Sequence, residues 1–111
     1  MPTILPLDSD NHPIPAIRLK PGGAHAIAAS AASARNAIAF DSETKIISLY
    51  ATDAVYVKFG DENVTATAAD HYYPSGIYYD FSLGGDKVPH YTHVAILAVA
   101  ADCTVYVSEK E

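Results

Sequence analysis

From residue 45 to residue 107 the chain keeps returning to a two-residue rhythm of apolar and polar side chains, and that period decides what it can fold into. A strand turns successive side chains to opposite faces, whereas a helix repeats every ~3.6 residues. In residues 45–52, Ile47, Leu49 and Ala51 fall on one side and Ile46, Ser48 and Tyr50 on the other. In residues 54–59, Val55, Val57 and Phe59 oppose Ala54, Tyr56 and Lys58. Ile77, Tyr79, Phe81 and Leu83 oppose Tyr78, Asp80 and Ser82, and Cys103, Val105 and Val107 oppose Thr104 and Tyr106. Residues 94–99 are apolar throughout, as suits a central strand covered on both faces.

Turn chemistry separates these runs. Gly60-Asp61-Glu62-Asn63 and Gly84-Gly85-Asp86-Lys87 are turn clusters, and Tyr73-Pro74-Ser75-Gly76 fits a type I turn. The Thr-rich residues 64–68 favour another strand. Short strands with turn signals about every 8–12 residues predict an all-β fold, an antiparallel sandwich or small barrel, with a jelly-roll-like β-sandwich as the expected form.

The N-terminal part reads differently. Pro2, Pro6, Pro13, Pro15 and Pro21 crowd into the first 21 residues. Proline removes a backbone donor and holds its predecessor extended, so residues 1–21 are expected as an extended arm and residues 22–111 as the sandwich domain. The arm would carry edge strands at 4–7 and 16–20, and it offers Ile4, Leu5, Leu7, Ile14 and Ile17 for contact with a neighbouring subunit. Residues 24–39 are rich in Ala and Ser. Their expected form is two strands, 25–29 and 37–40, joined by a small-residue loop, with a short helix as the alternative that alanine propensity favours.

Charge narrows the function. The 111 residues suffice for one domain and carry a net charge of −6, with no two basic residues adjacent. That balance gives no electrostatic footprint for nucleic acid or anionic lipid. No apolar run approaches the ~20 residues of a membrane helix, and no secretory signal is evident, so a cytoplasmic start is expected. The single cysteine, Cys103, excludes an intrachain disulfide and is expected as a buried structural thiol.

Motifs for chemistry are weak. His71, His90 and His93 could supply three imidazoles to a metal if their loops converged, but a His-x-x-His pair in extended chain points to opposite faces. Asp8-Ser9-Asp10-Asn11 resembles the start of a calcium loop, yet Pro13 stands where the loop needs glycine and Leu19 where it needs glutamate. Neither a nucleophile elbow nor a phosphate-binding glycine loop occurs. The expectation is a protein that is not an enzyme and needs no metal or cofactor.

The tyrosines carry more. Eight Tyr and no Trp is a skewed usage, and Tyr50, Tyr56, Tyr78 and Tyr106 all fall opposite the main apolar set. Tyrosine buries a large ring while its hydroxyl stays solvated or paired, which suits a subunit interface, a ligand platform or a covered second sheet face.

Taken in order, several segments resemble a known kind of protein. They are Ser33-Ala34-Arg35, Ala51-Thr52-Asp53, Val57-Lys58-Phe59-Gly60-Asp61, Val64-Thr65-Ala66-Thr67, Pro74-Ser75-Gly76, Thr92-His93-Val94-Ala95 and Val105-Tyr106-Val107-Ser108-Glu109. This series resembles small β-sandwich minor structural (virion) proteins of tailed bacteriophages and prophages. The resemblance implies a particle component, such as a head decoration, a head-fibre base or a tail-associated subunit. It also implies assembly in the host cytoplasm and contact with other virion proteins such as the major capsid protein. With the arm and the tyrosines it leads to the expectation of a homo-oligomer, a trimer above all. A carbohydrate- or receptor-binding module is the competing expectation.

Overall fold

The computed structural model describes residues 7–12, 17–85 and 87–111. Among them there are eight strands and no helix: β1 Leu19–Ala29, β2 Ala34–Arg35, β3 Ile46–Ala51, β4 Val55–Gly60, β5 His71–Tyr73, β6 Tyr78–Ser82, β7 His93–Ala98 and β8 Cys103–Lys110. They form two four-stranded antiparallel sheets, sheet I in the order β1-β8-β3-β6 and sheet II in the order β2-β7-β4-β5. The pairings β1 with β8, β2 with β7, β3 with β6 and β4 with β5 nest inside one another, as in one long hairpin rolled up so that its strands alternate between sheets. The sandwich fold is therefore as expected.

The core lies between the sheets and follows the alternation. Ile47, Leu49, Ala51, Val55, Val105 and Val107 are all buried, and so are Val94 and Ile96 of β7. The inward phase of β8 continues past Val107 to a charged residue, Glu109, which is 4% exposed. Its Oε2 accepts from His25 Nε2 at 2.8 Å. Its Oε1 accepts from the Asp41 backbone N–H at 2.9 Å and the Thr44 hydroxyl at 2.7 Å. A buried carboxylate is tolerable only when saturated in this way. Here it ties β8 to β1 and to the loop before β3.

Four expectations need correction. Residues 24–39 contain no helix, but the second strand is Ala34–Arg35 and not 37–40. The cause is Asn36, which is buried. Its side-chain oxygen accepts from Val94 N at 2.9 Å and its amide donates to Ile38 O at 2.7 Å, so a side chain replaces the ladder and the chain turns away. Only Phe40 then returns to the core, edge-on to the His25 ring at 5.1 Å.

Residues 64–68 are not a strand either. Val64 and Ala66 pack on the outer face of β7 against Ala95 and Leu97. Their backbone groups are met by side chains, Ala66 N by Ser33 Oγ at 2.9 Å and Val64 O by Arg35 Nη1 at 3.0 Å. This cover explains why β7 is apolar on both faces.

The turn before β6 is centred on Ser75 and Gly76, one residue later than a type I turn on Pro74 requires. Gly76 has φ 75°, the conformation that the third position of a type II turn demands.

The sandwich also begins before residue 22. β1 starts at Leu19, and Arg18 and Glu111 exchange backbone hydrogen bonds of 3.3 and 2.9 Å. Pro21 is accommodated because β1 is an edge strand whose pairing shifts between Leu19 and Ala24. Of the arm residues, Ile4, Leu5 and Ile14 lie outside the described residues, as does the expected strand at 4–7 except for Leu7. Leu7 is exposed and Ile17 half-buried.

Candidate functional site

Register brings three of the four candidate tyrosines together. Tyr50 of β3 is directly opposite Tyr78 of β6 on one side and Tyr106 of β8 on the other, and Tyr106 faces Ala26 of β1. The result is one row of rings across the outer face of sheet I, with strands ~4.8 Å apart. These residues are 57% (Tyr78), 36% (Tyr50) and 51% (Tyr106) exposed, so among the described residues the row stays open to solvent. The next row, Asp80, Ser48, Ser108 and Ala24, is mostly small. The face is therefore flat.

It is also electrically quiet. The charged side chains at the outward positions of these four strands are Lys110 and Asp80, and they pair at 2.8 Å. The Lys110 ammonium lies 5.0 Å from the centre of the Tyr78 ring, a cation–π contact. Burial works against this ammonium, but its hydrogen bonds to Asp80 and Tyr78 more than offset that, and its pKa is raised above 10.5. In the core, burial likewise raises the pKa of Tyr73, whose hydroxyl is 2.6 Å from Leu49 O across the two sheets. Both folded pKa values lie above the unfolded ones, so each group's contribution to stability is complete below pH 10 and is lost as pH rises through the folded value. Urea unfolding followed at pH 8, 10 and 11 should show a flat region and then a fall. A midpoint unchanged at pH 11 would contradict this assignment.

Tyr56 does not join the row. It lies on the outer face of sheet II beside Leu97 and Tyr72, with the two tyrosine rings 6.2 Å apart and edge-on.

No protein-family model, curated protein or solved structure matches this chain. Its function must therefore be argued from its own surfaces.

A second aromatic feature escaped the sequence. Where the edge strands β5 and β6 leave the sandwich open, a cleft of about 350 Å³ is lined by Val57, Phe59, His71, Tyr72, Tyr73 and Phe81. Phe81 is its hub, with ring centroids 5.6 Å from Phe59, 5.9 Å from Tyr73 and 5.1 Å from Tyr79. Tyr91 stands 6.0 Å from Phe59. Alternation marks each residue as inward or outward, but these rings come from β4, β5, β6 and the loop before β7, and only the pairing of the sheets collects them.

The histidines do not converge. His71 lines the aromatic cleft, His90 Nε2 is 2.6 Å from Thr44 O, and His93 Nδ1 is 2.9 Å from Thr92 Oγ1. Among the described residues no three His, Cys, Asp or Glu side chains gather to hold a metal. A polar pocket of about 450 Å³ beside His93 includes Arg35 and Asn36, but both are already committed to backbone groups. The Asp8 carboxylate accepts from Asp10 N and His12 N at 2.8 and 2.9 Å and so serves its own turn. Cys103 is half-buried at the edge of the core and not fully enclosed as expected.

Proposed function

We propose that this chain is a non-enzymatic structural subunit of a phage or phage-derived particle, of the head-decoration, head-fibre-base or tail-associated kind, which assembles through the outer face of sheet I. The observation that carries the reading is the row Tyr78, Tyr50, Tyr106 on a flat face whose charges are internally paired. Interfaces concentrate tyrosine and shed unpaired charge at their centres, and this face has that composition in a chain of net charge −6. The strand order 1-8-3-6 over 2-7-4-5 adds support, because it is the order of a jelly roll, an architecture used by viral capsid domains as well as by lectins and cupins. In a particle the same subunit would rest on other virion proteins such as the major capsid protein.

The native mass of the purified chain, followed by light scattering over a range of concentrations, tests the assembly. A discrete oligomer is expected, a trimer above all. Tyr50→Asp puts a charge at the centre of the row and should give monomers while the thermal melt stays cooperative. A wild-type chain that is monomeric throughout would overturn the self-assembly and bring forward a glycan- or receptor-binding module.

A further inference from the structure

The aromatic cleft between β5 and β6 has a chemistry that matches one segment of this same chain. We infer that it receives residues 2–7, the Pro-Thr-Ile-Leu-Pro-Leu end of the arm, from a second copy. This deepens the assembly reading above and rests on it.

The fit begins with polarity. Residues 2–7 contain no charged side chain, and the residues lining the cleft include no carboxylate, ammonium or guanidinium. The lining is largely aromatic, and aromatic grooves bind proline-rich segments because the proline ring is flat, apolar and already extended. Pro2 and Pro6 flank Ile4 and Leu5, so the segment surrenders little conformational entropy on docking. The cleft volume of about 350 Å³ is at the small end for a ligand site and suits a few aliphatic side chains. The backbone is provided for as well. β5 and β6 are terminal strands of their sheets, each with one edge that no described strand pairs, and an extended segment can add to such an edge.

Two observations assign the segment to a second copy. The chain enters the sandwich at Arg18, paired with Glu111 beside β1, and β1 is the edge of sheet I opposite to β6. Residues 8–12, which follow the segment, are all exposed, and the hydrogen bonds described for them run within that stretch. The described chain thus enters its own domain on the side away from the cleft.

Full-length protein made half with carbon-13 and half unlabelled separates the cases by isotope-filtered nuclear Overhauser spectroscopy. Contacts between the Ile4 and Leu5 methyls of one copy and the Phe59, Phe81 and Tyr73 rings of another are expected. In parallel, Leu5→Asp and Tyr72→Ala, the latter at an exposed wall of the cleft, should each weaken association about tenfold or more with the melt unchanged. Methyl–ring contacts confined to a single copy overturn the inference, and so does their absence in a protein that still associates. Dissociation by Tyr50→Asp but not by Leu5→Asp would leave the tyrosine face standing and remove the arm from the cleft. A monomeric wild type would remove both.

Discussion

Glu109→Ala is expected to lower the free energy of unfolding by about 3 kcal/mol or more, because it leaves three buried donors without their acceptor. A domain of this size holds only ~5–15 kcal/mol in total, so the variant should lose a large fraction of its stability. The reasoning starts from three donors. The His25 ring, the Asp41 backbone N–H and the Thr44 hydroxyl all end on this one carboxylate, at 2.8, 2.9 and 2.7 Å. The side chains of His25 and Glu109 are 10% and 5% exposed, so water cannot replace the lost acceptor without opening the sandwich. Each orphaned donor costs ~1–3 kcal/mol. Glu109→Gln keeps one acceptor oxygen but turns an N–H₂ toward donors, and it should fall between wild type and alanine. Urea denaturation monitored by tyrosine fluorescence measures all three. A loss below ~1 kcal/mol for the alanine variant would show that the donors find other partners and that the clamp is incidental. The position also matters for assembly. Glu109 is two residues from Glu111, the backbone partner of Arg18, so the clamp anchors the place where the arm leaves the fold.

What could be read from the sequence, and what could not, divides along a physical line. Alternation is a local property, and it placed Ile47, Leu49, Val55, Val57, Val105 and Val107 in the core. Extended by one more step it reaches Glu109, so the buried carboxylate had a signal in its phase. Alternation says nothing of which sheet a strand joins. Tyr50, Tyr78 and Tyr106 share a face because β6, β3 and β8 are neighbours, while Tyr56 alternates in the same way and ends on the other sheet. In β6 the pattern also overstated burial. Ile77 and Tyr79 have the inward phase but are 45% and 59% exposed, because the edge of sheet I is open at that end. Residues 64–68 show the opposite failure. Their β propensity is real, but Ser33 and Arg35 satisfy their backbone first, and propensity yields to tertiary context.

Gly84→Ala is expected to destabilise by about 3 kcal/mol or more, from a left-handed backbone and a collision acting together. Gly84 has φ 85°, and a Cβ at this position would stand 2.2 Å from the carbonyl oxygen of Pro89. No side-chain rotation relieves that contact, because the obstacle is backbone. Nor can the loop move freely. Gly85 and Val88 exchange hydrogen bonds of 3.0 Å, Tyr91 N donates to Leu83 O at 2.8 Å, and Leu83 is fully buried. Gly76→Ala is the matched control. Its φ is 75°, but a Cβ there meets nothing within 4 Å, so it reports the backbone strain alone, ~1 kcal/mol. The difference between the two variants isolates the contact with Pro89. Equal losses would mean that the loop from residue 84 to 90 gives way, against the hydrogen bonds that fix it. The consequence reaches the aromatic cleft, because Pro89 is two residues before Tyr91 and Tyr91 stacks near Phe59. A Gly84→Ala protein that still folds at low temperature should therefore associate more weakly than Gly76→Ala, with the tyrosine row on sheet I unaltered.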